Sequence, residues 1–334
     1  MTVELARIRT DDNVRLEGAL FRPTAGSPGP RAWPADLVIL VHGTGNNFYS
    51  PGILEHAAAT VAAAGTPALR INTRGHDGLA GGRGGAALEQ IDDCQLDLAA
   101  WCAWGRERDW ERIVLVGHSM GGVKSIYATA AGAVDPAAII AISPPRFCHR
   151  MFQQHPAAEP FREDYARACE MVEADRGDEL IPVRQPLPMW IRAAGYIEKY
   201  GPEDRYDLVR HLPQVSCPVL VLVGGDSVER SPAFGSLPVD LAALEIPAER
   251  LAVELIAGAD MHYTNDPDEP LRRAVEWLGT GGARSQRRRS GWSRLLERVV
   301  TIRFNPSTIR CSRETSPPCT DSAVASLSRP LAAS

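Results

Sequence analysis

Arg112-Ile-Val-Leu-Val-Gly117-His118-Ser119-Met120-Gly121-Gly122 is the stretch on which the reading of this chain turns. Four apolar residues, three of them β-branched, run straight into Gly-His-Ser-Met-Gly, and the mostly small residues from Val123 to Ala131 follow with a helical look. The pattern is Gly-x-Ser-x-Gly between a strand and a helix, the nucleophile elbow. The reason for the glycines is steric. A chain that passes from a buried strand into a helix within a few residues forces the serine at the apex into a strained conformation. Its close neighbours must then lack side chains. Ser119 is thereby expected to lift its hydroxyl out of the sheet, with the Met120 N–H beside it at a helix N-terminus that favours negative charge.

Outward from this stretch, other continuous apolar runs read as strands buried on both faces of a parallel sheet: Leu37–Val41, Ala137–Ile142 and Pro218–Val223. Pro67–Asn72 and Ala252–Ile256 are shorter strands, and residues 3–9 and 14–22 alternate as a hairpin around Asp11-Asp12-Asn13. Helical patterns lie between them. Ser50-Pro51 is expected to open one helix that Gly65 closes. Ile91, Leu98 and Trp101 share a face of the next. Asp266-Pro267 is expected to begin the closing helix, with Leu271, Val275 and Leu278 inward. Strands alternating with helices predict a mainly parallel sheet covered on both sides.

The alternation stops between about Phe147 and Leu212, where aromatic-rich helical patches predict an insertion over the sheet. The expected organisation is a core of 1–146 and 213–279, a helical cap of 147–212 and a basic tail of 280–334. The tail is rich in Ser, Arg, Thr and Pro and is expected to be disordered, with a short helix possible around Ser293–Val300.

The chain has 334 residues, 44% hydrophobic and 23% charged, enough for a sizeable core in one or two domains. Its net charge of −5 divides into +7 from Thr280 onward and −12 before it. The body therefore has no general basis for binding nucleic acid. The arginines of the tail (Arg284, Arg287-Arg288-Arg289, Arg294, Arg298) would suit an acidic partner, although a charge run is more often solvated. No apolar run approaches the roughly 20 residues of a membrane span, and Met1–Arg7 carries no signal-peptide core. The seven cysteines are scattered, so a cytoplasmic protein with reduced, mostly structural thiols is expected, Cys94 and Cys102 among the core residues. No histidine pair has ligand spacing, and the glycine-rich run 78–85 lacks the Gly-Lys-Ser/Thr of a phosphate loop. No metal and no cofactor are called for. Nothing in the sequence sets an oligomeric state.

A serine hydroxyl needs a base within hydrogen-bond reach, and the base needs an orienting acid. Val223-Gly224-Gly225-Asp226 puts an acid just past one buried strand, and Ala257-Gly258-Ala259-Asp260-Met261-His262 puts a histidine just past the next. Glu229 is the rival acid. Asp260 reads as a loop residue, too close in sequence to reach the ring of His262. Donors for an oxyanion are expected from the Met120 N–H and from the loop His42-Gly43-Thr44-Gly45, with Thr44 preferred over Gly45. His42 is expected to hold that loop and His118 to pack against neighbouring strands. Trp190, Tyr196 and Phe152 are the candidate substrate contacts, while His76, His149 and His155 are further pocket candidates.

These motifs, in this order, over residues 3–279, resemble a serine hydrolase of the α/β-hydrolase superfamily, esterase- or lipase-like, with a helical cap. The resemblance implies eight strands of which only the second is antiparallel, helices on both faces, a cap after the sixth strand, and a Ser119–His262–Asp226 triad. Arg74-Gly75 would support the oxyanion loop. It also implies a small acyl substrate, a carboxylic ester by default; thioester, amide and C–C hydrolysis or acyl transfer use the same machinery. A non-catalytic ligand-binding protein on this fold is the reading of another class. The tail from Thr280 has no counterpart in the usual pattern.

Overall fold

The computed structural model describes residues 2–23, 33–79 and 84–280. The tail, its expected helix and part of the glycine-rich run lie outside these residues. The strands, in chain order, are β1 (Thr2–Arg9), β2 (Arg15–Arg22), β3 (Leu37–Val41), β4 (Ala68–Ile71), β5 (Ile113–His118), β6 (Ala138–Ile142), β7 (Leu180–Val183), β8 (Met189–Arg192), β9 (Val219–Gly224) and β10 (Leu251–Ile256). Eight of them form one sheet in the order β1-β2-β4-β3-β5-β6-β9-β10. β2 runs antiparallel to both of its neighbours, and every other pairing is parallel.

The continuous apolar runs follow from burial on both faces. Leu37, Ile39, Val41, Ile113, Leu115, Val219 and Val221 point into one core, and Val38, Leu40, Val114, Val116, Leu220 and Leu222 into the other. Helices α1 (Ile53–Ala63) and α10 (Glu269–Gly279) cover the second face. Helices α2 (Cys94–Arg106) and α3 (Met120–Ala130) cover the first. Cys94, Cys102, Ile91, Leu98 and Trp101 are all buried there, as their spacing predicts.

Two helices begin later than their Ser-Pro and Asp-Pro signals suggest. α1 starts at Ile53 behind Gly52, because the Ser50 N–H is already taken by the Asn47 side chain and the Ser50 carbonyl by Arg70. α10 starts at Glu269, with Pro270 in its first turn. Its buried stripe is Leu271, Ala274 and Trp277, with Val275 and Leu278 only partly covered.

Between β6 and β9 the chain leaves the sheet. The insertion holds α4 (His149–Gln154), α5 (Glu159–Glu173), the antiparallel pair β7–β8, α6 (Ala193–Tyr200) and α7 (Leu208–His211). The two-stranded pair departs from the all-helical expectation. Its interior is aromatic: Phe152, Phe161, Tyr196 and Tyr200 pack with ring centroids 5.1–6.5 Å apart. The insertion meets the rest of the chain through the Arg192 N–H, which donates to the Ala87 carbonyl at 3.0 Å, and the Arg192 guanidinium, which donates to Leu88 at 2.7 Å. After β9 come α8 (Gly225–Arg230) and α9 (Leu237–Ala242). Among the described residues no helix is long and apolar enough to cross a membrane.

Arg74, just past β4, is a structural staple between α2 and the first hairpin. Its guanidinium binds Asp97 of α2 at 2.9 Å and Asp12 of the first hairpin at 2.8 Å. The Asp97 carboxylate is fully buried and also accepts the Arg74 N–H. Removing one partner of a buried ion pair leaves a buried charge uncompensated, at a cost of about 3–5 kcal/mol. Arg74→Met is therefore expected to lower the unfolding free energy read from urea titration by that amount. The double variant Arg74→Met/Asp97→Leu should recover part of the loss.

Candidate functional site

Six parallel strands point their carboxyl ends to one edge of the sheet, the edge at which open α/β sheets place ligands. β5 delivers Ser119 there, β3 the loop from His42, β4 the loop from Thr73, β9 Asp226 and β10 the loop from Ala257 to His262.

Ser119 has φ 53° and ψ −125°, the left-handed half of backbone space that side chains avoid. It caps α3, and its own N–H donates to the Ile142 carbonyl of β6 at 2.8 Å. Its glycine neighbours are required by contact. A side chain on Gly117 would strike the Gly121 backbone, and one on Gly121 would strike the Val41 carbonyl. The Met120 N–H, first in α3, has no carbonyl four residues earlier in a helix to accept it.

Across from the serine lies the loop after β3. A Cβ on Gly43 would stand 3.1 Å from the Ser119 Cβ and 3.4 Å from its Oγ. Below the loop, His42 is fully buried. The backbone N–H of Thr73 donates to its Nε2 at 3.1 Å, so Nε2 carries no proton. The proton is then on Nδ1, which donates to the Gly43 carbonyl at 2.8 Å. That carbonyl and the Thr44 N–H belong to one trans peptide plane and point opposite ways. Pinning the carbonyl back onto His42 turns the Thr44 N–H away from it. The Asn46 N–H holds the same carbonyl at 3.2 Å. His42 thus holds the loop, as its position suggested. Further out, the Asp77 carboxylate accepts from Asn47 at 2.6 Å and from Tyr49 at 2.7 Å, and lies 2.8 Å from the His76 ring.

Beneath both elements runs a buried polar chain that sequence reading missed. The Lys124 ammonium, on α3, pairs with Glu89 and donates to the Thr73 hydroxyl at 3.0 Å. The Thr73 hydroxyl lies 3.3 Å from His42 Nε2. Gly75 is glycine because a side chain there would run into the Glu89 carboxylate. Nothing in the local sequence marks Lys124 as buried, because its place in α3 is indistinguishable by pattern from a surface one.

Asp226 lies at the start of α8, and His262 follows β10 on a loop packed against it. The Asp226 N–H donates to the Ala259 carbonyl at 3.0 Å, and Gly224 has no room for a side chain against Ala259 and Asp260. The Asp226 carboxylate faces Arg230 at 3.4 Å, and Glu229 is exposed on the same helix. Asp260 accepts from the His262 and Thr264 N–H groups, each at 3.0 Å, as a loop residue does. His262 is exposed, its ring centroid 5.6 Å from that of His118. No side-chain hydrogen bond joins Ser119, His262 and Asp226 among the described residues. His118 does more than pack: its buried ring donates through Nε2 to the Met261 carbonyl at 2.8 Å, which fixes the backbone next to His262.

The aromatic candidates fall elsewhere. Tyr196 is fully buried and donates to the Gln185 carbonyl at 2.5 Å, and Phe152 is buried against Phe161 and Tyr200. Both form the core of the insertion and offer no accessible face to a ligand, while the Trp190 ring points outward, 58% exposed. His149 is bound to the Tyr200 carbonyl and His155 to the Ala157 N–H, both within the insertion. Among the described residues, one group has ligand atoms close enough for a metal, Cys148, Asp204 and Asp207. Asp207 is already held by Arg146 at 3.0 Å, and Asp204 by the His149 N–H at 2.7 Å.

Burial, reinforced by Lys124, pushes the His42 ring down to about 3, and burial pushes His118 down to about 4. An unfolded histidine titrates near about 6.5. The fold therefore favours both rings neutral, and their contribution to stability is complete above pH 6.5. It is lost as pH falls toward 4 and 3, because the unfolded chain binds protons first. At ~1.4 kcal/mol per unit, the unfolding free energy should drop by several kcal/mol between pH 7 and pH 3.5. Urea titrations should show that drop reduced in His118→Gln, which keeps a donor for Met261; an unchanged drop would exclude His118 from it. Gly43→Ala should fold with little loss yet crowd the serine. Its reaction with a serine-directed phosphonate is expected to slow roughly tenfold or more.

A search of curated protein sequences finds no relative. Among solved structures, the fold is similar to the α/β hydrolase GrgF from Penicillium sp. sh18, at 16% identity and TM-score 0.63, covering 84% of this chain and 99% of that one. It is also similar to a monoglyceride lipase from Saccharomyces cerevisiae, at 14% identity and TM-score 0.60, covering 85% and 97%. An esterase from Pyrococcus furiosus matches at 16% identity and TM-score 0.54, covering 84% and 91%. The family model for the alpha/beta hydrolase family matches residues 38–301, running past α10 into the Arg-rich segment. The chain belongs to the alpha/beta hydrolase family.

Proposed function

We propose that the protein is a serine hydrolase that cleaves a carboxylic ester through an acyl-enzyme. The observation that carries this reading is the φ of 53° at Ser119, held between Gly117 and Gly121 and facing Gly43. Strain of this kind costs of order 1–3 kcal/mol and persists where the surroundings over-determine it. The similar folds named as an esterase and a monoglyceride lipase support the same class of bond.

In the proposed cycle, His262 takes the proton of Ser119 as Oγ attacks the ester carbonyl. The oxygen becomes an oxyanion that accepts from the Thr44 and Met120 N–H groups. Asp226 orients the His262 ring. The alcohol departs with the proton that His262 returns, and a water, deprotonated by His262, then attacks the acyl-enzyme and frees the acid. In the absence of substrate, catalytic hydrogen bonds are often long or misaligned and tighten in the complex. The Asp226 carboxylate must accordingly exchange Arg230 for the ring of His262. The insertion serves as the cap over this edge.

Labelling with a fluorophosphonate, alongside turnover of p-nitrophenyl esters, tests the reading. Labelling should vanish in Ser119→Ala, and kcat should fall by at least about 10⁴-fold. Labelling without ester turnover would move the substrate to thioesters, amides or C–C bonds. No labelling of the folded wild type would favour a ligand-binding protein that has kept the elbow without its chemistry.

A further inference from the structure

Two of the 36 basic residues are lysines, Lys124 and Lys199; all the others are arginines. Both lysines are buried, and both lie at the candidate site. They differ in how their charge is matched. Lys124 has Glu89 as counter-ion. Lys199, on α6 of the insertion, has no carboxylate within ion-pair distance among the described residues. Its Nζ reaches the Thr44 hydroxyl at 3.5 Å, and otherwise the ring faces of Tyr200 and Phe147 at 5.4 and 5.7 Å. The charged groups around it are Glu89 and Lys124, already paired to each other, and Glu198, engaged by the Tyr206 hydroxyl and by Arg205. Burial pushes the ammonium down to about 8, which leaves it charged at neutral pH.

Burying an ammonium is costly unless an anion or several acceptors replace its water. One hydroxyl at the limit of hydrogen-bond distance does not do so. The place of the unmatched charge is informative, because Thr44 follows Gly43, the residue nearest the serine. Lys199 Nζ is thus held against the residue that follows the one packed on Ser119.

We propose that Lys199 is the anion-recognition residue of this site, and that the ester it accepts carries a carboxylate close to the scissile bond, which supplies the counter-charge beside Thr44. The inference rests on the ester-hydrolase reading of Ser119. A single compact ammonium with one hydroxyl and two aromatic faces suits a monoanion. Doubly charged phosphate would call for more donors or for a guanidinium fork. The carboxylate is in the acyl half or in the alcohol half of the ester, and the two are separable.

The test compares matched esters. For the acyl half, the mono-p-nitrophenyl ester of glutarate is set against p-nitrophenyl butyrate; for the alcohol half, 4-acetoxybenzoate against 4-acetoxybenzamide. One anionic ester should be preferred over its neutral counterpart in kcat/KM, which locates the carboxylate. In Lys199→Met that preference ratio should fall by at least about tenfold, through KM more than kcat. Lys199→Arg should keep part of it. Should Lys199→Met not fold, free glutarate should compete with the neutral ester on the wild type, glutaramide should not, and Lys199→Gln should abolish the difference. A wild type without preference for either anionic ester, or a ratio unchanged in the variants, would overturn the proposal alone. Absence of turnover for every ester, with Ser119 unlabelled, would overturn it together with the reading on which it rests.

Discussion

The backbone of Ser119 is held where a residue with a side chain does not rest by choice, and the carboxyl edge of the sheet is arranged around that fact. The restraint comes from both directions. β5 and β6 fix the approach through the bond from the Ser119 N–H to Ile142, and α3 departs at once, with Gly121 pressed against the Val41 carbonyl of β3. Three strands and a helix therefore determine one torsion angle. A change that loosens any of them would let the serine relax before it unfolded the protein, since the local strain is small beside the burial of the sheet.

The loop across from the serine is fixed by different means. No glycine strain is needed at Gly43. A neutral, fully buried imidazole does the work by accepting one backbone N–H and donating to one backbone carbonyl. The neutral state is itself imposed by burial and by the Lys124 ammonium two hydrogen bonds away. A histidine in water would sample both tautomers and the cation; here one tautomer is selected, and with it one direction for the next peptide. His118 repeats the device on the opposite side, holding the Met261 carbonyl across 143 positions of sequence.

How much of this was legible depended on whether the determining contacts were local. β3, β5, β6 and β9 read directly as continuous apolar runs because both of their faces are covered. The elbow was legible because its constraint lies within five residues, and the positions of Asp226 and His262 followed from the ends of strands. The β7–β8 pair was not legible: each strand has four residues, with Pro182 inside one and the exposed Trp190 in the other, so neither shows a period. Nor could the aromatics of the insertion be sorted. Phe152, Tyr196 and Tyr200 are equally apolar in sequence, and only the packing of α4 on α5 and α6 decides that they face one another. Nothing local marks Lys199, in the last turn of α6, as buried. Its burial is a property of what that helix is laid upon.

The segregation of the two lysines has a consequence for how the molecule meets reagents. With Lys124 fully buried and Lys199 nearly so, the described surface carries its positive charge on guanidinium groups. Acylating agents, bifunctional amine cross-linkers and proteases that cut after lysine find no side chain to act on there while the fold is closed. Any lysine that reacts in the folded chain would have to do so from within the fold, so that modification mapped to Lys199 reads whether the insertion is seated on the sheet.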